Sequence, residues 1–175
     1  RCDCDCVGGC VCGDGHVRPG GQGKGVRCAI SHYIRLTRNG NRLEYIYDKL
    51  KDIRGVSIVE PFPLSESGFL GVHSLDQVKN FFENSPKEPN QVFRFDRETE
   101  MNLHTLRTLQ LSAGAVLDSV DAILAGNTTN AFCVGYGGHH ASYNKSHGFC
   151  FSNPIAIGVD YALSRDVKNI AILDI

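Results

Sequence analysis

The sequence lacks several features that would assign it to a broad class of protein. No apolar run approaches the roughly 20 residues of a membrane span, and no charged-then-apolar leader opens the chain. The 18 Lys and Arg residues nearly balance the 19 Asp and Glu residues, and the net charge of −1 argues against a strongly basic nucleic-acid binder. Complete phosphate-loop and dinucleotide-binding motifs are missing as well. We therefore expect a protein of the cytoplasm or nucleus that binds neither membranes nor nucleic acid directly.

The first 28 residues are poor in large apolar side chains. They contain no Leu, Ile, Phe, Tyr or Trp, but they hold six of the eight cysteines and eight of the nineteen glycines. Such a segment buries too little apolar surface to offset the entropy of ordering it. The Cys-x-Cys alternation is compatible with thiolate metal binding or with disulfides, although its spacing is tighter than that of structural zinc sites. We predict that residues 1–36 form a low-complexity leader, disordered or non-native, and that residues 37–175 form the N-terminal part of a domain.

From residue 37 onward, helix and strand patterns alternate. Apolar residues at three- and four-residue spacing predict helices, with Asn41 as the N-cap of the first and Ser152 or Asn153 as the N-cap of the last, and short apolar runs predict strands. The predicted helices are residues 42–50, 74–82, 101–125 and Pro154–Ser164, and the predicted strands are Val56–Val59, residues 130–134 and residues 169–175. The last strand, helix and strand form a βαβ unit, so we predict an α/β fold with a doubly wound parallel sheet flanked by helices.

Two adjacent histidines follow the strand predicted at residues 130–134. His139 and His140 lie in a glycine-rich loop at the carboxyl end of that strand, where open α/β sheets bind their ligands. Asp174 lies near the carboxyl end of the last predicted strand, where its carboxylate can accept the Nδ1–H of a histidine. These three residues are candidates for acid–base catalysis. A structural role stays open, because adjacent histidines occur on surfaces by chance and a strand-end Asp often caps a helix.

Three motifs occur together around this loop. They are Gly138-His139-His140-Ala141, Gly148-Phe149-Cys150-Phe151-Ser152-Asn153 and Ile170-Ala171-Ile172-Leu173-Asp174-Ile175. In this order they resemble the histone deacetylase superfamily, which also contains acetylpolyamine amidohydrolases and acetoin-utilisation deacetylases. The resemblance covers about residues 37–175. It implies a truncated arginase/deacetylase-like fold and part of a zinc-dependent amidohydrolase that hydrolyses acetylated amines, either acetyl-lysine in proteins or small molecules such as acetylpolyamines.

The resemblance implies a role for each matching residue. His139 corresponds to a histidine with an electrostatic and orienting role, and His140 corresponds to the general base for water and the general acid for the amine. Asp174 corresponds to an aspartate that hydrogen-bonds the first histidine and helps to bind a monovalent cation, typically potassium. Gly148 would offer its carbonyl to the substrate amide N–H. Phe149 would form one wall of a channel for the substrate's methylene groups.

The resemblance also implies what this chain lacks. In the family, the three zinc ligands and the tyrosine that polarises the acetyl carbonyl lie in segments that would follow Ile175, so we expect no zinc ligands within this chain and no activity from it alone. Gly135-Tyr136-Gly137 stands where the family commonly has Arg-Pro-Pro, and we expect the glycines to loosen the loop. We assign no chemistry to His73. Two other functions stay open: a deacetylase-like domain that binds without catalysis, and a metal-binding module centred on the leader cysteines.

Overall fold

Local sequence signals account for most element boundaries in the computed structural model, which describes residues 26–30 and 40–174, with side chains from Tyr45 onward. The strands are β1 (Val26–Ile30), β2 (Val56–Val59), β3 (Phe93–Arg94), β4 (Glu100–Met101) and β5 (Ala131–Val134). The helices are α1 (Gly40–Leu50), α2 (Leu75–Glu83), α3 (Thr105–Leu124) and α4 (Pro154–Ser164), and a 3-10 helix spans Glu66–Phe69. Residues 1–25 and 31–36 of the predicted leader lie outside the described residues.

Of the two candidates predicted for the N-cap of α4, Ser152 and Asn153, the structure selects Asn153, whereas Ser74, predicted as the first residue of a helix, is the N-cap of α2. Helix α1 begins at Gly40, so the N-cap predicted at Asn41 is wrong. Ser74 Oγ accepts the amide N–H of Gln77 at 3.3 Å, and Asn153 Oδ1 accepts the amide N–H of Ala156 at 3.0 Å. Both bonds satisfy amide groups that the first turn of a helix leaves without a partner. The long helix α3 begins four residues later than predicted, because Met101 pairs in the short antiparallel β3–β4 ribbon instead of entering the helix.

The main sheet has three parallel strands in the order β2-β1-β5. The central strand β1 lies inside residues 1–36, which the sequence analysis assigned to a leader, so that assignment is wrong for Val26–Ile30. The physical reason is that composition counts only the segment's own apolar residues. Strand β1 is five residues long and hydrogen-bonds to a neighbour on each side, and this pairing with distant segments does not appear in local composition.

Helices cover the sheet on both faces. Cys133 Sγ lies 3.3 Å from Ser119 Oγ of α3, whereas the next residue, Val134, packs against Ile46 and Leu50 of α1. Since successive side chains of a strand point to opposite faces, α1 and α3 lie on opposite sides of β5. The predicted α/β architecture, a partial parallel sheet flanked by helices, is confirmed.

The strand predicted at residues 169–175 does not form within the described residues. Residues 169–174 adopt no regular secondary structure and pair with no described strand, and Ile172 and Leu173 are 59% and 86% exposed. A strand needs a neighbour for its backbone hydrogen bonds, and this segment pairs with no strand of the described sheet. The βαβ unit expected from β5, α4 and this segment is therefore wrong. The described βαβ unit is instead β1, α1 and β2.

A second apolar core lies away from the sheet, between the helices and the segments that lead to the candidate site. Its buried members come from the 3-10 helix, α2, β4, α3, residue 151 and α4: Phe69, Val78, Phe81, Met101, Leu109, Ala113, Phe151 and Ile157. The rings of Phe69 and Phe81 meet edge to face with centroids 5.5 Å apart. This core fixes Phe151 and thereby the segment that follows the two histidines. Within residues 26–30 and 40–174, none of the helices combines the length and the apolar character needed to cross a membrane.

Candidate active site

The loop that carries the two histidines begins directly after β5 and lies against α3. The amide N–H of Tyr136 donates to Oγ of Ser112, a buried residue of α3, at 2.9 Å. A Cβ atom on Gly135 would lie 2.8 Å from that same oxygen, so this close approach depends on glycine. The expectation that glycine loosens the loop is wrong at Gly135, where its missing side chain lets the loop pack closely on the helix.

A second glycine brings the histidines against the start of α4. Gly138 has φ +104°, and a Cβ atom there would lie 2.1 Å from the carbonyl oxygen of Ser152. Its own carbonyl accepts the amide N–H of Ala141 at 3.0 Å and so closes a turn around His139 and His140. Both the backbone conformation and the contact exclude a larger residue at Gly138.

The structure brings His139 and Asp174 together. Nδ1 of His139 lies 3.0 Å from Oδ1 and 2.8 Å from Oδ2 of Asp174, and both side chains are about half exposed. The rings of His139 and His140 meet edge to face with centroids 4.4 Å apart, and the centroid of the His147 ring lies 6.0 Å from that of His140. A carboxylate that accepts Nδ1–H leaves Nε2 as the free nitrogen of His139. The arrangement is therefore suited to acid–base chemistry.

The predicted substrate residues Gly148 and Phe149 form a tight turn beside His140. His147 and Cys150 exchange two backbone hydrogen bonds, of 3.0 and 2.9 Å, and the two residues between them have φ +58° and +63°. Positive φ at both central residues is typical of the two-residue turns that connect paired strands. A Cβ atom on Gly148 would lie only 3.1 Å from Cγ of His140, so the turn lies directly against the histidine ring.

Phe149 holds an unfavourable conformation in this turn. Bulky side chains rarely adopt positive φ, and such strain persists only where surrounding contacts maintain it. The Phe149 ring is 62% exposed, so its side chain supplies little of that restraint. The restraint comes from its backbone, whose N–H donates to Thr99 Oγ1 at 3.1 Å and whose carbonyl accepts the hydroxyl of Tyr136.

His73 precedes α2 and connects it to two points of the segment between β5 and α4, at Ser142 and at Asn153. Its buried ring hydrogen-bonds through Nδ1 to the carbonyl of Ser142 at 2.9 Å, and Nε2 accepts the amide N–H of Asn153 at 3.0 Å. A ring nitrogen that accepts a hydrogen bond carries no proton, so this contact holds His73 neutral with its proton on Nδ1. Burial lowers the pKa of His73 from its usual value, which acts in the same direction.

Gln77 of α2 adds a further buried support. Its side-chain amide donates to the carbonyl of Phe151 at 3.1 Å and to Ser146 Oγ at 3.4 Å. The sequence analysis missed Gln77 as well as the anchors of the Phe149 turn. Its position offered a signal, because Gln77 precedes Val78 and lies four residues before Phe81, on the face of α2 that is otherwise apolar. A polar side chain on such a face needs a buried hydrogen-bond partner.

Zinc does not fit the residues that the structure describes. No group of three or more His, Cys, Asp or Glu side chains lies close enough together to hold a metal ion anywhere in residues 45–174. The donors nearest the candidate site are His139 and Asp174, and they are already bonded to each other. No catalytic step through zinc is therefore derived from these residues.

The fold and the site together define an α/β protein with two adjacent histidines in the loop that follows the carboxyl end of a parallel strand. Residues 36–175 match the histone deacetylase domain, and the chain belongs to that family. The match begins one residue before the predicted domain start at residue 37.

Relatives from distant organisms show the same similarity. A probable deacetylase of Archaeoglobus fulgidus is 31% identical over 139 residues, which cover 76% of this chain and 38% of that protein. Histone deacetylase 6 of Caenorhabditis elegans is 36% identical over 100 residues, which cover 55% of this chain and 10% of that protein. The crystal structure of the HDA15 HD domain superposes with a TM-score of 0.72 at 19% identity, over 82% of this chain and 44% of that one. The chain thus spans less than half the length of each of these relatives.

Proposed function

We propose that this chain contributes the histidine pair of a zinc-dependent deacetylase, which cleaves the amide bond of an acetylated amine with water to give acetate and the free amine. The observation that carries the proposal is the contact between His139 Nδ1 and the Asp174 carboxylate, 2.8 to 3.0 Å, with His140 packed beside it. Membership of the histone deacetylase family supports the choice of reaction.

The proposed proton transfers use both histidines. Asp174 accepts the Nδ1–H of His139 and so fixes the orientation and the tautomer of that ring. His140 takes a proton from the attacking water and returns it to the nitrogen of the departing amine. His139 stabilises the charge that develops beside it. Each proton removed from water is thereby delivered to a product.

The turn beside the histidines would bind the substrate. The Gly148 carbonyl would accept the N–H of the acetylated amine, and the exposed Phe149 ring would pack against its methylene groups. This geometry suits acetyl-lysine in a protein as well as a small acetylated amine such as an acetylpolyamine, because both present an alkyl chain next to the acetyl amide. Direct binding to nucleic acid or membranes is not part of the proposal, and a cytoplasmic or nuclear location stays a prediction.

The metal ions also stay predictions. Zinc, when bound, polarises the acetyl carbonyl and lowers the pKa of water, and its ligands would come from outside the described residues. Potassium would bind near Asp174, whose carboxylate already accepts a hydrogen bond from His139.

The test is hydrolysis of an acetyl-lysine peptide and of an acetylpolyamine by the full-length gene product with added Zn²⁺. We expect His140→Ala to lower kcat by roughly 10²-fold to 10⁴-fold, because it removes the general base. Asp174→Asn should lower kcat roughly tenfold or more, because His139 loses the carboxylate that fixes its tautomer. The matched control is His104→Ala, since His104 is exposed and makes no side-chain cap bond at the start of α3.

Equal activity of wild type and His140→Ala would refute the assignment of the base. Binding of the acetylated peptide without hydrolysis by the wild type, under conditions where zinc is bound, would refute the enzyme and support the alternative of a non-catalytic deacetylase-like domain.

A further inference from the structure

The side chain of Tyr136 makes two hydrogen bonds to the segment that contains Phe149. Its hydroxyl donates to the carbonyl of Phe149 and accepts the amide N–H of Phe151, the latter at 2.7 Å. One oxygen atom therefore bonds the backbone on both sides of Cys150.

Tyr136 is itself held firmly. Its amide N–H donates to Ser112 Oγ of α3 at 2.9 Å, and its ring lies against the buried Phe151 ring with centroids 6.0 Å apart. Burial raises the pKa of the Tyr136 hydroxyl far above its usual range, with a smaller contribution from the neighbouring Cys150. The hydroxyl therefore keeps its proton and can donate it to the carbonyl of Phe149.

Phe149 needs such an anchor because its backbone is strained. At φ +63° a phenylalanine relaxes to negative φ unless contacts oppose the change, and its ring is mostly exposed. Thr99, which is fully buried, accepts the amide N–H of Phe149, and Tyr136 holds the carbonyl of the same residue. The two anchors act on opposite ends of one residue and so fix the direction in which its ring points.

We propose that Tyr136 is a positioning residue that holds the Phe149 ring, through the backbone of the turn, in the place where it meets the alkyl chain of the substrate. The inference rests on the proposed function for the identity of the substrate. The inference adds to that function a residue that influences how tightly the alkyl chain of the substrate binds. The Tyr136 hydroxyl bonds to the backbone of the turn, so we expect its removal to affect substrate binding more than proton transfer.

The test compares Tyr136→Phe with Tyr161→Phe in the full-length protein. Tyr161 is a matched control because its hydroxyl bonds to Asp121 at 2.9 Å, between α4 and α3 and away from the turn. In Tyr136→Phe we expect the Phe151 amide to exchange its hydrogen roughly fivefold to tenfold faster, since that amide loses its acceptor. The same amide should stay within about twofold of wild type in Tyr161→Phe.

The kinetic arm separates positioning from general stability. For an acetyl-lysine peptide we expect KM to rise roughly fivefold in Tyr136→Phe with kcat changed by less than about twofold, and we expect both constants to stay near wild type in Tyr161→Phe. Thr99→Val removes the other anchor at nearly the same volume and should raise KM in the same way. It also keeps the inference testable if Tyr136→Phe does not fold.

The outcomes distinguish the inference from the proposed function. Unchanged exchange of the Phe151 amide in Tyr136→Phe overturns the inference, and so does a change in kinetics that Tyr161→Phe reproduces. A wild-type protein that hydrolyses no acetylated amine refutes the proposed function, and the exchange of Phe151 then decides by itself whether Tyr136 positions the turn.

Discussion

Replacing Gly148 with alanine perturbs the contact between the turn and the His140 ring. The new Cβ atom would lie 3.1 Å from Cγ and 3.3 Å from Cβ and Cδ2 of His140. Carbon atoms in contact prefer about 3.5 to 4.0 Å, so the ring or the turn must move by a few tenths of an ångström. Gly126 provides a matched control, because it also has positive φ, +71°, but a Cβ atom there would meet nothing within 4 Å.

The expected magnitudes follow from these two geometries. An alanine at positive φ costs about 1 to 2 kcal/mol, and the reduced freedom of the unfolded chain offsets about 0.4 to 1 kcal/mol of that. Gly148→Ala and Gly126→Ala should therefore each lower the free energy of unfolding by about 1 kcal/mol. Only Gly148→Ala displaces His140. Since a misplacement of about 1 Å can cost 10²-fold in rate, we expect roughly a tenfold loss of kcat/KM.

Three measurements check this prediction. Urea unfolding compares the stabilities of the two variants, the acetyl-lysine assay compares their kcat/KM, and NMR of the histidine ring protons reports the position of His140 without requiring activity. If Gly148→Ala changes neither the His140 resonances nor kcat/KM more than Gly126→Ala does, the close packing of the turn on the histidine is refuted.

Three further predictions concern the framework around the site. Gly114→Ala should lower the free energy of unfolding by about 1 to 3 kcal/mol in urea, because its Cβ atom would lie 1.8 Å from the carbonyl oxygen of Phe62. The free energy of unfolding of the wild type should decrease as the pH falls below 6.5, because His73 binds a proton in the unfolded chain but resists protonation when it is buried and its pKa is lowered. In His73→Gln this contribution to the pH dependence of the free energy of unfolding should be lost, as measured by urea unfolding at several pH values. Asn153→Ala should cost about 1 kcal/mol in urea unfolding, because the amide N–H of Ala156 loses its cap.

Each of these predictions has a matched control. Gly158→Ala meets only the side chain of Val116 and should cost less than Gly114→Ala, so equal costs would contradict the backbone clash. His104→Gln changes an exposed histidine and should leave the pH slope as it is in wild type, and a loss of slope there would contradict the role of His73. Asn153→Asp keeps a cap acceptor, so it should retain most of the stability that Asn153→Ala loses.

Local signals predicted the elements whose ends depend on neighbouring residues. The caps Ser74 and Asn153 act on amides three residues away, and both helices begin within one residue of where the sequence places them. Strand β1 and the segment 169–174 were predicted incorrectly for one shared reason. Whether a short run becomes a strand depends on a partner elsewhere in the chain, which β1 has on both sides and residues 169–174 do not have among the described residues.

The candidate site could be predicted only in part. The motifs pointed to His139 and Asp174, and the structure brings these two together, although the strand expected to carry Asp174 does not form. The supports of the loop were not predictable, because they join distant segments. Tyr136 bonds to backbone groups more than ten residues away, and His73 bonds to residues about seventy and eighty positions later in the chain. A pattern of neighbouring residues predicts neither contact.

The position of β1 has a consequence for how the protein is made. This strand leaves the ribosome before the other described strands, yet it lies between β2 and β5, and β5 begins only at Ala131. Pairing with β2 can follow soon, whereas the second edge of β1 stays open until Val134 has been synthesised. An unpaired edge can bind another nascent chain, and pairing across a long stretch of sequence is slow. We therefore expect the docking of β5 to be a slow step of folding, and it is the step that closes the second edge of β1.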